Sequence, residues 1–390
     1  MRPLFRILLM LILPFMSGAQ ERCMTNGASV GRETTRNGSG SGEISGEIVI
    51  PVVVHVIWRT PVENISDDQI RSQIDALNAD FSLRNADFAK VPAVFAGRAA
   101  EAGIRFVLAS SDPQGRPTNG IIRKNTTAQL WINDDRIKKT SAGGSDPWDS
   151  RQYLNIWVGN LSSTLIGFST FPGAPADKDG IVIRYNAFGT RGTLSPPFDR
   201  GRTLTHETGH WLGLQHLWGD SPCGDDGVED TPRQRTGNRG IPQFPRLNTG
   251  CENGPYGDMF MNFMDFSDDR SLLMFTKGQA DRMRAQFQTG GPRHTLLQSR
   301  GAAEPWNLNA DIVPGLTKTS QVYPNPATQN IRIRTSGPLP KDYEIIDASG
   351  RMVTGGKLNG TDPLIDIVQL KPGTYHLRLG DTVIRWIKGG

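Results

Sequence analysis

The sequence predicts an α/β (α+β) domain, built as a twisted mixed sheet with helices, followed by a small C-terminal β-sandwich. Three observations carry this. From Glu47 a polar, glycine-rich stretch gives way to IVIPVVVHVIW, a β-branched run whose length suits a central strand. Apolar residues then recur at helical spacing, first at Ile70, Ile74, Leu77 and Phe81 and again across residues 204–211. From about Ile312 short alternating runs follow one another between turns: VYPNP, NIRIRT, YEIIDASG, IDIVQL, GTYHLRL and VIRWIK. A chain of 390 residues is also long for one domain and has room for processing segments.

Arg2 and Arg6 head an apolar run that ends near Met16, and Ser17, Gly18 and Ala19 offer small residues to a signal peptidase. Residues 1–19 are therefore expected to be a secretory signal peptide. A membrane anchor is disfavoured because the run is short and broken by Pro14, and no later stretch is long enough to span a bilayer. The AQER before Cys23 lacks the small apolar pattern of a lipidation site. Residues 20–46 are polar and glycine-rich, too poor in apolar surface to hold a fold, and read as a pro-segment. The net charge of +4 is spread among 39 acidic residues without a basic stripe, which argues against nucleic acid as a partner.

The main domain is expected over residues 47–300. His55 lies inside the first strand and reads as a packing histidine. Asn64 or Ser66 is placed to cap the first helix. IRFVLAS (104–110), GIIRK (120–124), YLNIWVGNL and DGIVIRYNAFG read as further strands, with GFSTFPGAPADKDG as a loop between the last two.

The chemistry concentrates in HETGHWLGLQH, residues 206–216, which holds three of the six histidines. Four residues of helix advance about 400°, so His206 and His210 emerge on one face and converge on one point. Glu207 lies about 100° round, off the ligand face but close enough to serve as base to a metal-held water. His216 reaches the same point only if the helix stops first, and Gly213 permits the left-handed turn that stops it. Three nitrogen ligands leave a fourth position open, which marks a catalytic zinc site. A chance match to this pattern anywhere in the chain has a probability on the order of 10⁻⁵ from residue frequencies. Thr203 is a plausible cap for this helix, and Leu204 and Trp211 can face the core while the histidines face a cleft. In metalloproteases that this motif resembles, the strand before the active helix often runs along the cleft and holds substrate by main-chain pairing, which implies that role for either Gly167–Thr170 or Gly180–Tyr185.

Beyond His216 about fifty residues are rich in Gly, Pro, Asp and Asn. Cys223 and Cys251 bracket this stretch, and export into an oxidising compartment suits a disulfide between them. The acidic run CGDDGVEDTP, with Asp225, Asp226, Glu229, Asp230 and the adjoining Thr231, is either a calcium site built from oxygen ligands or a solvated acidic loop. Cys23 is the odd cysteine. It is expected either to close the zinc site in a precursor through its thiolate or to be available for an intermolecular bond. FTKGQADRMRAQF reads as a last helix, with a linker over 301–311 and the sandwich over 312–390.

HETGHWLGLQH resembles the metzincin metallopeptidases. The resemblance implies a mixed sheet with an active-site helix, zinc on His206, His210 and His216, Glu207 as base, and Met264 of MNFMDF as the methionine turn beneath the metal. More narrowly, HETGHWLGLQH followed by CGDDGVEDTP, GC, GDMFMNFMDFSDD and MFTKGQ is similar to the pappalysin family. That likeness implies a secreted zinc endopeptidase made as a zymogen, calcium near the acidic loop and a Cys223–Cys251 bond. It also implies a preference for basic residues after the scissile bond, with Asp258 or Glu252 supplying a carboxylate and Arg32 and Arg36 as autolysis points. The chain departs from the family at Phe266, where a tyrosine whose hydroxyl can stabilise an oxyanion is usual. YPNPATQNIRI, IIDASGRMV and LKPGTYHLRL resemble the sorting domains of type IX secretion, which implies secretion machinery as a partner and a secreted or cell-surface location. The rival reading is a catalytically weak relative acting as a surface binding or adhesion protein.

Overall fold

A computed structural model describes residues 21–23, 44, 46–247, 250–302, 320–335, 341–348, 351–358, 363–380 and 382–389. The expected signal peptide, most of the pro-segment with Arg32 and Arg36, and most of the linker lie outside these residues. The chain divides into two compact units, Met1–Leu108 with Gly120–Ser299, and Ala109–Asn119 with Arg300–Gly390.

The first unit is built on a seven-stranded sheet. Its strands are β1 (Glu21–Cys23), β2 (Ile48–Trp58), β3 (Ile104–Leu108), β4 (Ile121–Asn125), β5 (Leu154–Gly159), β6 (Leu165–Ser169) and β7 (Ile181–Arg184). The order is β1-β6-β7-β5-β2-β3, and β4 also pairs with β2. Central β2 gives its first half to β3 and its second half to β4, both parallel. β5 and β7 continue the parallel run, while β6 turns antiparallel to β7, so the sheet is mixed as expected. β5, β6 and β7 are buried along their whole length because both faces are covered. One face packs on α1 (Asp67–Phe81) and α3 (Arg202–Trp211), with Ile50, Val54, Ile70, Leu77, Leu204 and Trp211 in a common core. The other carries a smaller cluster centred on Trp131, Trp157 and Phe168.

Of the two candidate caps of α1, Ser66 takes the role, its hydroxyl accepting from the Gln69 N–H. His55 is a packing residue: it meets Ser145 Oγ and Asn155 Oδ1 and stacks on Trp157, and burial lowers its pKa to about 4. The single turn α2 (Ala93–Ala96) and α4 (Lys277–Ala285), which starts in a Thr276–Gln279 capping box, complete the α-helices among the described residues.

Two local expectations are corrected. The cap of α3 is not Thr203, which lies buried inside the helix; the position belongs to Gly201 in a left-handed conformation. A glycine offers no side-chain acceptor, and Asp269, at the start of a 3₁₀ turn distant in sequence, substitutes by accepting the N–H groups of Arg200 and Arg202. The second is LIGFS: the residues around 167 belong to strand β6 rather than to a loop.

In the second unit, β11 (Met352–Lys357), β10 (Asp342–Asp347), β13 (Gly373–Leu379) and β14 (Thr382–Lys388) form one sheet. β12 (Leu364–Asp366), β9 (Asn330–Thr335) and β8 (Ser320–Tyr323) form the other. Ile331, Ile333, Ile345, Leu377 and Trp386 make its core. His376 stands on β13 as a single histidine.

Candidate active site

Every residue of α3 is buried, so the histidines meet in a site screened from bulk water. Gly213, with φ +89°, ends the helix and brings the Leu214 carbonyl back onto it, where His210 Nδ1–H donates over 2.8 Å. His206 Nδ1–H donates to Phe263 O at 2.7 Å, and His216 Nδ1–H to Asp220 Oδ1 at 2.5 Å. With each Nδ1 committed as a donor, each Nε2 presents a lone pair inward. His210 Nε2 lies 3.2 Å from that of His206 and 3.0 Å from that of His216. Three lone pairs this close repel unless they share a cation, so the residues fit a zinc ion. Burial, then the neighbouring His216, holds the His210 pKa well below its usual 6.5, which keeps this ligand neutral and ready for metal.

Cys23 joins this group: its Sγ and the three histidine nitrogens all lie within 4.8 Å of one another, the one such cluster of metal-ligating side chains among the described residues. It is brought there by β1, which pairs parallel with β6 and sets Cys23 opposite Gly167. β6 is therefore an edge strand apart from its pairing with β1, whereas β7 is enclosed between β6 and β5. Of the two cleft candidates, Gly167–Thr170 lies on the edge and Gly180–Tyr185 does not.

Glu207 is fully buried beside the first ligand. Met264 lies beneath the helix, and a Cβ added at Gly209 would collide with its Sδ. Phe171 meets His210 edge-on at 5.4 Å between ring centroids, and Trp218 stacks flat on His216 at 4.4 Å. Phe266 stands against His206, His216 and Trp218.

Three buried carboxylates that organise this site left no signal in the sequence. Asp265 accepts from Gln234 Nε2, the Asn238 N–H and side chain, and the Phe266 N–H, tying a remote loop to the methionine turn. Burial raises its pKa. Asp179 pairs with Arg293 and accepts from Thr170 Oγ1 at 2.9 Å and Trp211 Nε1 at 3.1 Å. Asp269 is the capping acceptor of α3 described above. Apart from Thr170 and Phe266, their partners lie 27 to 114 positions away, beyond the reach of any local pattern.

The predicted acidic residues do not gather as a set. Asp225 bonds the Gly227 N–H and faces Arg233; Glu229 is exposed; Asp230 binds Thr276 Oγ1 and the Gly278 N–H at the start of α4. Asp226 and Thr231 alone stand together: Thr231 Oγ1 lies 2.9 Å from both Asp226 oxygens and 2.8 Å from Val228 O. Burial drives the Asp226 pKa up from 3.8 to about 7. Cys223 and Cys251 are joined in a disulfide, S–S 2.01 Å. Asp258 is fully buried, with Asn253 Nδ2 donating to it at 2.6 Å, while Glu252 is exposed.

A three-histidine pocket on a glycine-terminated helix, with a buried glutamate and a methionine turn beneath, defines a metzincin metallopeptidase. Residues 138–288 match the peptidase M43 family model, described as pregnancy-associated plasma protein-A, and residues 321–388 match that of a secretion system C-terminal sorting domain. The chain is 30% identical to an extracellular metalloprotease of Arthroderma gypseum over 284 residues, covering 69% of this chain and 83% of that protein. An extracellular metalloprotease of Arthroderma benhamiae is 31% identical over 275 residues, covering 66% and 79%. Among solved structures, a promirolysin point mutant of Tannerella forsythia superposes with TM-score 0.64 at 46% identity, covering 65% of this chain and 85% of that one. Mature mirolysin of the same organism with a cleaved peptide gives 0.63 at 46% identity, covering 65% and 96%. The chain belongs to the pappalysin family of metzincin metallopeptidases and carries an export-sorting domain. Among the described residues no helix is long and apolar enough to cross a membrane.

Proposed function

We propose that this chain is a secreted zinc endopeptidase made as a zymogen, with Glu207 as general base. The observation that carries the reading is the convergence of three Nε2 atoms beside a buried glutamate. His206, His210 and His216 would hold the metal, which when bound supplies Lewis acidity that makes water acidic and polarises a carbonyl. Glu207 takes a proton from the attacking water as its oxygen adds to the scissile carbonyl carbon. The carbonyl π pair moves onto oxygen; when it returns, the C–N bond breaks and the amine leaves with the proton held by Glu207. The β6 edge at Gly167–Thr170 holds the substrate main chain.

Cys23 keeps the precursor closed. In support, its thiol sits among the histidine nitrogens and β1 occupies the same strand edge that a substrate needs. Cleavage within 20–46 would remove both obstacles at once, leaving residues 47–300 as the catalytic domain between the signal peptide (1–19) and the linker (301–311) that leads to the sorting domain (312–390). Calcium belongs where Asp226, Thr231 and the Val228 carbonyl gather, because a divalent cation relieves the cost of an ionised buried carboxylate. For a preference for basic residues after the cleaved bond, buried Asp258 is better suited than exposed Glu252.

Casein digestion tests the reading. The activated protein should lose activity on chelation and regain it with zinc, and unprocessed Cys23→Ala, with β1 still on the strand edge, should be more active than the unprocessed parent; digestion indifferent to chelator would overturn the assignment, and a Cys23→Ala precursor as latent as the parent's would remove the thiolate switch.

A further inference from the structure

Peptide hydrolysis puts negative charge on the former carbonyl oxygen, and a donor aimed at that oxygen lowers the barrier. Apart from the Trp218 indole N–H, whose ring lies flat on His216, the side chains already placed in the site do not provide one. Glu207 is an acceptor, and the Nδ1 protons of the histidines are committed to Phe263 O, Leu214 O and Asp220. Phe266, which forms the wall at 5.7 Å from His206 and 4.8 Å from His216 between ring centroids, carries no donor at all.

One cation is recorded against this wall among the described residues: the guanidinium carbon of Arg239 lies 5.9 Å from the Phe266 ring centroid. Its backbone is held there from several directions. The preceding Asn238 bonds Asp265 through both N–H and side chain, and the Asp268 N–H donates to Gly240 O. Gly237 passes so near that a Cβ would come within 2.9 Å of both Phe266 and Trp218. The loop is therefore pinned to the methionine turn on both sides of position 239, while Arg239 itself is exposed. A guanidinium lying over this ring carries five N–H donors in a planar fork, which places donors beside the wall of the cleft.

We propose that Arg239 is a catalytic residue of this enzyme, donating from its guanidinium to the oxyanion that forms as water adds to the scissile carbonyl. The inference deepens the peptidase reading and rests on it. The proton balance is untouched: Glu207 still carries the proton from water to amine, and Arg239 stays a cation throughout.

The test uses the full chain, activated in trans by limited trypsin treatment, with zinc content and melting temperature measured for each variant. Arg239→Ala should lower kcat roughly tenfold or more, as loss of an oxyanion donor does. KM should stay within about twofold, because the interaction is made only in the transition state. Arg239→Ala should also bind a phosphinic peptide, a tetrahedral anion, correspondingly more weakly by calorimetry, while binding the cleaved product peptide as the parent does. Phe266→Tyr in the Arg239→Ala background should restore most of the lost kcat, and Arg235→Ala, an exposed arginine on the same loop, should change nothing. An unchanged kcat, or a rise in KM alone, would overturn the proposal and reduce Arg239 to a cover for Phe266 or a substrate contact. Loss of kcat in Trp218→Phe with Arg239→Ala unaffected would give the role to the indole instead. If the parent protein hydrolyses nothing, it is the peptidase reading that has failed.

Discussion

His216 reaches its partners only because Gly213 can adopt φ +89° and because Asp220, itself at positive φ, then holds the Nδ1 proton. Each histidine is oriented by a different acceptor, two backbone carbonyls and one carboxylate, so removing one tilts a single ligand. Asp226 allows a prediction at this scale. Its pKa is raised on folding from 3.8 to about 7, so its contribution to stability is complete below 3.8 and is lost as pH rises through about 7. In chelator, the melting temperature should fall over this interval, and Asp226→Asn should flatten the fall. Calcium should restore stability at pH 8, where the carboxylate is charged; a pH profile identical in Asp226→Asn would exclude this group. Residues of this kind divide sharply in legibility. The histidines, Glu207 and Gly213 lie within eleven positions and announce themselves by spacing alone. Asp179, Asp265 and Asp269 act on partners tens of positions away, and a lone aspartate carries no sign of what it will meet.

The active helix depends on a carboxylate outside itself. Asp269 accepts two N–H groups at the start of α3, where Gly201 offers no side chain. Asp269→Ala should therefore destabilise the protein by about 1–2 kcal/mol, the usual range for a helix cap, read as a lowered denaturant midpoint. An unchanged midpoint would show that α3 needs no such acceptor. β2, α1, β5 and α3 were readable because their burial imposes long apolar runs or helical spacing. β6 was not, since Gly167 breaks its run; a Cβ there would come within 2.9 Å of Ile183 Cδ1 and 3.2 Å of Thr203 Cγ2, so the strand packs too tightly for anything larger. β1 is three residues, Glu-Arg-Cys, with no apolar alternation. It is a strand by virtue of the edge it docks on, which no local pattern can report.

At the scale of the molecule, chemistry and address lie in separate units. His206, His210, His216 and Glu207 all belong to the first, and the sorting-domain match falls entirely in the second. Deleting residues 321–388 should accordingly block export while leaving hydrolysis intact in protein recovered from the cell; loss of activity in such protein would mean that the second unit serves the site. The proposed hydrolysis needs a base beside the three converging imidazoles, and Glu207→Gln removes that base alone. The variant keeps the side chain's shape and removes its basicity. It should bind one zinc per chain, as the parent does, and hydrolyse peptide at no measurable rate. Zinc bound in full with cleavage at the parent's rate would show that Glu207 is not the base.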